Sequence, residues 1–490
     1  MSKLETGLHY PLKLDVLPEA WRIGHVGDFA DEIQPGFASG KHNKEGAGIP
    51  HIRPYNIDRQ GKLDLTEIKS VAPESDAKRL RTGDVLFNNT NSPELIGKTT
   101  VIVSAEDWGF SNHMTRIRFK DDVAPKFAAY QLHFLWMTGY YLHNCVKHVN
   151  QASISSKTLA NAVPFIAPPF DQQKRIVAEI EKQFSRLDEA VANLKRVKAN
   201  LKRYKAAVLK AAVEGRLVET EAEIARREGR SFEAGAQLLQ RILETRRSQW
   251  QGKGRYKEPA APDTTDLPEL PEGWVWATLD QIGQEGRPII YGIIKPGPHD
   301  PNGVPYVRVT EMKDGFVDLE NLRRAVPERA AKFARATLAP GDVLISKDGT
   351  IGRVAVVPPQ LAGGNITQHV MRAPIHELMC RDYVVSAIRS DVCQKWLTGE
   401  TKGVALRGVN VEDFRRLPIP VPPYIEQERV LAEVDRRLSL LSETEAQVDA
   451  NLQRADRLRE AILQRAFSSS SSHRTSIHTK LMGDDERLGT

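Results

Sequence analysis

Hydrophobic residues recur at every seventh position in two long stretches of the chain, and this pattern predicts two long helices. The stretches cover about 170–214 and 425–467 and contain neither Pro nor Gly. Apolar positions sustained at a spacing of seven are typical of coiled coils. We expect the two helices, each on the order of 65 Å long, to pair antiparallel with each other. The apolar seams are formed by Ile180, Leu187, Leu194, Leu201 and Val208 in the first helix and by Val434, Leu441, Val448, Ala455 and Ile462 in the second.

An alternative is that each long helix lies on its own globular domain instead of pairing. The seams are narrow, and the helices are longer than a domain of this size, so the pattern favours the coiled coil.

Short β-branched runs, separated by Gly, Pro, Asn and Asp turns, fill residues 15–168 and 269–423. They predict strands within Lys98–Val103 and Val354–Val357, with short helices at Lys126–Met137 and Arg381–Trp396. The expected fold is therefore α+β, with two similar globules in tandem separated by two long helices. The predicted segments are 1–168, the first globule; 169–217, the first long helix; 218–268, a helical extension and a Pro-rich linker; 269–423, the second globule; 424–467, the second long helix; and 468–490, a tail expected to be disordered.

The two globules repeat each other's sequence about 254 residues apart. LPEAW at 17–21 returns as LPEGW at 270–274, and GIPHIR at 48–53 returns as GVPYVR at 303–308. GDVL at 83–86 and 341–344, IGK/IGR at 96–98 and 351–353, and PPF/PPY at 168–170 and 422–424 follow in the same order. A chain built from two copies of one unit is expected to perform one kind of task twice.

Composition and charge narrow the possibilities. The chain is 40% hydrophobic and 27% charged, which is typical of a soluble globular protein. It has no run of eighteen apolar residues and no signal-peptide core, and its three cysteines are far apart, so we expect a reducing cytoplasm and no zinc site. Most of the net charge of +6 arises in residues 169–268, which hold 21 basic and 15 acidic residues.

Motifs for catalysis are missing from the sequence. It has no phosphate-binding loop of the GxxxxGK[ST] type, no HExxH and no GxSxG. The two Pro-Pro motifs resemble the tetrad of amino-methyltransferases, but Ala167 and Val421 stand where that chemistry needs a polar side chain. A helix start is the simpler interpretation of both. His133, on a predicted helix with Phe134 and Trp136, is expected to pack rather than to catalyse.

Polar loops occur at matching places in both globules, and their residues differ. Arg, Lys, Asn, Gln, His and Thr are the side chains that read base edges and bind phosphates. A shared framework with divergent polar loops is expected if the two copies recognise different short sequences. The candidates for DNA binding are Arg53, Asn56, Asn88, Asn89, Asn91, Lys98, Asn112, His113, Arg116, Lys147, Asn150 and Gln151 in the first globule, and Arg308, Thr310, Lys347, Thr350, Arg353, Gln368, His369, Lys402 and Arg407 in the second.

The ordered, repeated set of motifs resembles the DNA specificity subunits of type I restriction–modification systems. The resemblance covers residues 17 to about 467 and includes the PxPxPPxxxQ motif at 418–427, from which the first copy at 164–173 departs at its middle proline. It implies two target-recognition domains in inverted orientation, each reading half of an asymmetric, bipartite DNA site. The coiled coil would set the spacer between the half-sites.

The resemblance also implies partners and cofactors. Two modification subunits would carry S-adenosylmethionine and methylate adenine N6, flipping the target base themselves. Restriction subunits would add ATP- and Mg-dependent translocation and cleavage. The chain itself would bind double-stranded DNA without catalysis or a metal, in a bacterial or archaeal cytoplasm.

Two other functions are open. The chain could be a self-contained methyltransferase that uses its Pro-Pro motifs, which binding of S-adenosylmethionine by the isolated chain would support. It could also be a scaffold whose coiled coil organises other proteins, which lack of salt-sensitive DNA binding would favour.

Overall fold

The computed structural model describes residues 19–39, 41–73, 78–104, 107–313, 315–399 and 409–467. Its chain divides into two compact units: unit 1 holds the residues up to Lys195 and those from Asp449 on, and unit 2 holds Arg196–Val448. Because each long helix is shared between the units, this division does not test the predicted segment boundaries, which stay predictions. The start of the first LPEAW motif, the candidates Lys402 and Arg407 and the predicted tail lie outside the described residues.

Unit 1 combines short strands with short helices before the first long helix. Its strands are β1 (Arg22–His25), β2 (Ala30–Pro35), β3 (Ile49–Ile52), β4 (Lys69–Val71), β5 (Val85–Asn88), β6 (Thr90–Asn91), β7 (Thr99–Val101), β8 (Gly109–Phe110), β9 (Met114–Phe119), β10 (Val146–Lys147), β11 (Ala152–Ser153) and β12 (Pro164–Ala167). Its helices are α1 (Val26–Phe29), α2 (Pro125–Met137), α3 (Tyr140–Asn144), α4 (Ser156–Ala162) and the first part of α5 (Phe170–Val213).

The strands of unit 1 form four small sheets. Their orders are β2-β9-β5-β7, β4-β3-β8, β10-β11-β6 and β1-β12. Because successive side chains of a strand point to opposite faces, Val85 and Phe87 share one core with Phe127 of α2. Leu86, between them, shares a second core with Ile52. The central strand therefore joins a helix on one face to the β4-β3-β8 sheet on the other.

Unit 2 repeats this architecture after two additional helices. Those helices are α6 (Glu221–Glu228) and α7 (Gly235–Ser248). The strands are β13 (Val275–Thr278), β14 (Ile290–Tyr291), β15 (Val304–Val307), β16 (Gly315–Phe316), β17 (Arg323–Ala325), β18 (Val343–Ser346), β19 (Val354–Val356), β20 (Asn365–Ile366), β21 (Val370–Ala373) and β22 (Pro418–Val421). The remaining helices are α8 (Pro327–Ala331), α9 (Arg381–Ile388), α10 (Asp391–Thr398), α11 (Val411–Arg415) and α12 (Tyr424–Phe467).

The strand pairings show that the two units are copies. The parallel pair β3 and β8 corresponds to the parallel pair β15 and β20, and the antiparallel pair β1 and β12 corresponds to β13 and β22. The central strand β18 lies between β19 and β21, as β5 lies between β7 and β9. This confirms the predicted α+β fold with two similar domains in tandem.

Two local predictions need correction. The helix predicted over Arg381–Trp396 is two helices, α9 and α10, which separate at Arg389 and the buried Ser390. The extension after the first long helix is also two helices. Gly229, with a left-handed φ of 66°, ends α6, and Leu238 and Ile242 of α7 are fully buried in the core of unit 2.

The long helices are 44 residues each and are paired antiparallel, as predicted. Within unit 1, the Arg459 guanidinium of α12 lies 4.4 Å from the ring centre of Phe184 in α5. Within unit 2, Tyr204 of α5 contacts Arg437 of α12. The partner numbers fall on one helix as they rise on the other, which defines an antiparallel pair.

The seam residues face inward, and several of them also pack into a domain core: Ile180 and Ile462 in unit 1, and Val208 and Val434 in unit 2. Ile180, Leu187 and Val208 of α5 are buried, as are Val434, Val448 and Ala455 of α12. The other four seam residues, Leu194, Leu201, Leu441 and Ile462, are half-buried. The seven-residue period therefore does mark the inward face.

A buried glutamine near the start of each long helix fixes the helix to its domain. The Gln173 side chain accepts the Ala124 N–H at 2.8 Å and donates to the Pro168 carbonyl at 2.8 Å. Gln427 accepts the Cys380 N–H at 2.9 Å and donates to the Pro422 carbonyl at 3.0 Å. The Pro-Pro motifs thus mark helix starts.

Candidate nucleic-acid interface

A single 3-10 turn follows β3 in unit 1. It spans Pro54–Asn56, and the Asn56 side-chain oxygen accepts the Arg53 N–H at 3.0 Å. The Asn56 amide group also donates to two backbone carbonyls, and the residue is 1% exposed. Asn56 therefore shapes the turn, while Tyr55, 46% exposed, is presented to solvent.

The matching turn in unit 2 follows β15 and spans Val309–Glu311. The Glu311 carboxylate accepts the Arg308 N–H at 2.8 Å, and it also forms an ion pair with the Arg308 guanidinium. Thr310, which is exposed, donates its hydroxyl to the same carboxylate at 2.7 Å. The Arg308 hydrogen bonds hold its pKa above the ordinary value for arginine.

In each unit, one cationic side chain hydrogen-bonds to the backbone carbonyls of this turn or of the residue after it. The Lys98 ammonium donates to the Ile57 carbonyl, and burial lowers the pKa of that ammonium. Arg353, at the matching position, donates to the carbonyls of Val309 and Met312 at 3.1 Å each. These two candidates are thus engaged with the protein's own backbone.

The loop after the central strand has the same backbone bonds in both units. The Asn89 N–H donates to the His113 carbonyl, and the Lys347 N–H donates to the His369 carbonyl, each at 3.0 Å. The Asn89 side chain is buried and donates to Thr115 Oγ1 at 2.8 Å. Asn88 is fully buried, so the side-chain amides of Asn88 and Asn89 both lie inside the domain.

The candidate Arg116 is buried and binds other groups of the protein. Its guanidinium donates to Glu32 at 2.6 Å, to Gln34 at 2.7 Å and to the Arg79 carbonyl at 2.8 Å, and the side chain is 1% exposed. Arg116 therefore joins strands of the central sheet, and as placed it has no access to a DNA surface.

The remaining candidates of unit 1, other than Lys147, border one open cleft of about 840 Å³. We call this cleft, with its rim, the polar edge of unit 1. Among the predicted residues it brings together Arg53, Asn91, Asn112, His113, Asn150 and Gln151, with Lys98 at its wall. Carboxylate side chains are lacking among the lining residues of this described region.

A short hairpin forms one side of this cleft. It consists of β10 and β11, with the His148 N–H donating to the Gln151 carbonyl at 2.7 Å across its tip. Lys147 and Asn150 are exposed on the hairpin, and Val149 at the tip is 98% exposed. The hairpin thus presents polar groups and two exposed valines, Val146 and Val149, to solvent.

His51 lies at the wall of the same cleft. Its ring packs 4.8 Å from the ring of Phe37, and the residue is 1% exposed. Burial lowers its pKa to about 4, with the nearby Arg53 acting in the same direction. The imidazole is therefore neutral at physiological pH.

The corresponding polar edge of unit 2 consists of Thr310, Lys347, Thr350, Gln368 and His369. Asp348 lies 3.2 Å from the Lys347 ammonium and 2.7 Å from His369 Nδ1. The Gln368 side chain accepts the Lys295 N–H at 3.1 Å. In contrast to unit 1, a carboxylate therefore lies within this edge.

Sequence reasoning missed some residues of these edges. Tyr55 and Ser92 line the cleft of unit 1, and Lys295 lies beside the edge of unit 2 in a left-handed conformation (φ 50°). Tyr55 could have been noticed, because an aromatic residue between Pro and Asn in a turn is well placed for solvent exposure. Which candidates contact DNA stays a prediction.

Other kinds of site were sought in the described part of the chain. No group of three or more His, Cys, Asp and Glu residues there is placed to hold a metal ion. No helix among the same residues is both long enough and apolar enough to cross a membrane. His133, 2% exposed, packs 4.9 Å from the ring of Trp136, as expected of a core histidine.

Comparisons with known proteins agree with this architecture. A family model for the type I restriction modification DNA specificity domain matches residues 271–453. The chain is 28% identical over 323 residues to the type I restriction enzyme EcoBI specificity subunit of Escherichia coli, covering 66% of this chain and 60% of that protein. It is 26% identical over 270 residues to the EcoAI specificity subunit of Escherichia coli, covering 52% and 42%. The aligned part is thus about half of the length of these relatives.

A solved structure shows the same fold. One chain from a structural study of the assembly and conformational transition of the type I restriction–modification system aligns with a TM-score of 0.63 and 18% identity, covering 92% of this chain and 98% of that chain. The chain therefore carries a type I restriction modification DNA specificity domain over residues 271–453, is similar in sequence to type I specificity subunits, and shares the fold of the solved chain.

Proposed function

We propose that the chain is the DNA-reading subunit of a type I restriction–modification complex and that it binds an asymmetric, bipartite site. Each unit would read one half of that site. The observation that carries the proposal is the pair of polar edges: the backbone bonds that hold them are the same, whereas their side chains differ. Two surfaces with the same backbone bonds and different side chains are suited to recognising two different DNA sequences.

The chemistry of the edges supports contact with bases. Unit 1 offers the amides of Asn112, Asn150 and Gln151, whose donor and acceptor pair matches the major-groove edge of adenine. Arg53 adds a guanidinium suited to guanine or phosphate, and Tyr55 adds an aromatic face. In unit 2 the exposed hydroxyls of Thr310 and Thr350 and the side chains of Lys347 and Gln368 would do the reading.

Partner subunits would supply the catalysis. Two modification subunits with S-adenosylmethionine would methylate adenine, and restriction subunits would use ATP and Mg. The long helices keep apolar side chains exposed, including Tyr204 (47%), Leu440 (52%) and Leu458 (49%). Exposed apolar residues along a helix pair are suited to docking helices of another protein.

Mapping of methylated adenines tests the proposal. We would express the full chain with the modification subunits of its own host and sequence the methylated genome. We expect a motif with two specified halves separated by an unread spacer. A contiguous or symmetric motif, or no motif, would overturn the proposal.

The helices provide a second test, because they would set the spacer. Removing seven residues from α5 and the seven matching residues from α12 should change the spacer and leave both half-sites as they are. Altered half-sites with an unchanged spacer would show that the helices do not act as the ruler.

A further inference from the structure

The tryptophans of the repeated LPEAW and LPEGW motifs differ in their hydrogen bonds. In unit 2, Trp274 Nε1 donates to the Glu426 carboxylate at 2.9 Å. In unit 1, Trp21 is 8% exposed, and its Nε1 is buried without a hydrogen-bond partner in the described part of the chain. An unpaired buried donor is unfavourable and rare in native proteins. Unit 1 therefore lacks an acceptor that unit 2 possesses.

Unit 2 uses the same glutamate to hold the start of α6. The second carboxylate oxygen of Glu426 accepts the Glu221 N–H at 2.9 Å. The carboxylate of Glu221, the first residue of α6, forms an ion pair with Arg429 at 2.6 Å. Glu426 is 0% exposed and Glu221 is 2% exposed, because the helix covers this part of the domain. The tryptophan, the glutamate and the arginine thus form a docking site for a helix whose first turn carries a carboxylate.

Unit 1 repeats this site with one change. With the offset of 254 residues, Gln172 corresponds to Glu426 and Arg175 to Arg429. Gln172 is half-buried where its counterpart is fully buried, and Arg175 is exposed. The tryptophan and the arginine are therefore kept in unit 1, whereas the glutamate is replaced by an amide.

Apolar side chains around the site are also less covered in unit 1. Ile176 is half-buried, whereas its counterpart Val430 is 1% exposed. Ile23, two residues after the tryptophan, is 38% exposed. The described helices of unit 1 are α1 to α4 and parts of α5 and α12, and none of these corresponds to α6. Unit 1 thus exposes groups that a helix covers in unit 2.

The change from glutamate to glutamine alters what the site can bind. The side chains of Trp21 and Arg175 offer only N–H donors, and the amide of Gln172 adds two more donors and one acceptor. A carboxylate can accept hydrogen bonds from all three side chains, and it also neutralises the guanidinium. The site of unit 1 is therefore complementary to a carboxylate brought by a helix from outside.

We propose that Trp21, Gln172 and Arg175 form a docking site for a helix of a partner protein whose first turn carries a glutamate or an aspartate. The helix would lie on unit 1 as α6 lies on unit 2, with its carboxylate on Arg175. This contact does not depend on DNA reading and adds a protein-binding surface to the chain.

A peptide of residues 217–249 serves as the probe, because it contains α6, α7 and the Glu221 carboxylate. It carries the substitution Phe232→Ala, since unit 1 has Ala20 where unit 2 has Gly273, and a Cβ added to Gly273 would lie 2.9 Å from the Phe232 ring. Binding of the labelled peptide to the full chain is measured by fluorescence anisotropy. We expect one site for each chain, because α6 already fills the site of unit 2.

Arg175→Gln should weaken peptide binding about tenfold, as is typical for loss of a hydrogen bond to a charged group. Trp21→Phe keeps the ring and removes the N–H, so it should weaken binding by a smaller factor. Arg186→Gln is the matched control, because it removes an exposed charge from the same helix outside the site, and it should bind as the wild type does. A Glu221→Gln peptide should bind about tenfold more weakly to the wild type but no more weakly to Arg175→Gln, because both changes remove one ion pair.

Three results would overturn the docking site. The first is that the wild-type chain does not bind the peptide. The second is equal binding by wild type and Arg175→Gln, which would mean that the peptide displaces α6 from unit 2. The third is binding that appears only after residues 468–490 are removed, because the chain itself would then cover the site. Thermal unfolding followed by circular dichroism checks that each variant is folded, and the exposed Arg175 can be replaced without disturbing the core.

Discussion

The polar edges of the two units differ in how their side chains are held. In unit 1, amides and an imidazole surround a cleft without carboxylates, while the buried amides of Asn56 and Asn89 support it from inside. In unit 2, Asp348 lies within the edge and contacts Lys347 and His369. The comparison teaches that one scaffold can present either amides and cations without a carboxylate or cations paired with one, because the backbone bond that holds the loop after the central strand is the same in both units.

The largest expected difference concerns the buried aspartates of the two GDVL motifs. Asp84 and Glu32 share Arg116 and Arg118 in unit 1, whereas Asp342 alone pairs with Arg287 in unit 2. We expect Asp342→Ala to destabilise unit 2 by about 1–3 kcal/mol, because the Ala339 N–H and the partly exposed Arg287 guanidinium lose their acceptor. Denaturant unfolding, with hydrogen exchange resolved by peptide, measures the loss in each unit.

Asp84→Ala is the matched control for that prediction. Glu32 still compensates both arginines of unit 1, so the loss there should be smaller than in unit 2. A loss in unit 1 equal to or larger than that in unit 2 would contradict the difference between the two networks.

Lowering the pH should reduce the folding stability of unit 1, because two of its histidines are buried. Burial lowers the pKa of His51 and of His133 to about 4, below the 6.5 of an unfolded histidine. The unfolded state therefore gains protons first, and stability falls as the pH drops from about 6.5 towards 4. At pH 5 the loss should be on the order of 2 kcal/mol for each histidine, measured as the change in unfolding free energy from pH 7.5.

His51→Phe separates the two histidines. It keeps the ring contact with Phe37 and removes one titrating group, so about half of the acid-induced loss should disappear. An unchanged loss would show that His51 does not contribute.

Single substitutions at each edge should alter one half-site each. Asn112→Ala and Gln151→Ala in unit 1 should relax the preferred bases of one half by about 1–3 kcal/mol, while Thr350→Ala in unit 2 should relax the other half. The readout is the methylated motif of each variant. A change in both halves from a single substitution would break the assignment of one half to each unit.

The smallest effect is expected from Asp348→Asn in unit 2. Removal of this carboxylate leaves Lys347 and His369 free to face phosphate, so affinity for DNA of any sequence should rise a few-fold, as about 0.2–1 kcal/mol is typical of exposed ion pairs. Binding to duplexes without the motif, at several salt concentrations, measures it. A decrease in that binding would mean that Asp348 itself makes a favourable contact.

The sequence allowed the architecture to be predicted because repetition and seven-residue spacing are visible without contacts. The two long helices and the paired domains followed from them. The break between α9 and α10 was missed, because Arg389 and Ser390 do not interrupt the apolar pattern as Pro or Gly would. The packing of α7 was missed because a charged, amphipathic stretch looks the same whether or not its apolar face is covered.

The sequence predicts where the candidate site lies better than it predicts which of its side chains are exposed. The polar loops do lie at matching edges, yet residue type does not tell which amides are used inside the protein. Asn56 and Asn112 are chemically alike, but the fold places Asn56 under a turn and Asn112 on the rim of the cleft. Similarly, Lys98 and Arg353 look like phosphate ligands and instead bind backbone carbonyls.

The buried glutamines at the helix starts set the orientation of each domain relative to its own long helix. Gln173 and Gln427 hydrogen-bond each domain to the first turn of its own helix. Each residue deleted from the helix turns that domain by about 100° around the helix axis relative to the residues beyond the deletion. A loss of one or two residues would point the reading surface elsewhere, whereas a loss of seven leaves it within about 20° of its original direction. If the helices set the spacer as proposed, only changes of about seven residues would alter the spacing and keep the phase, and other deletions would turn the reading surface away.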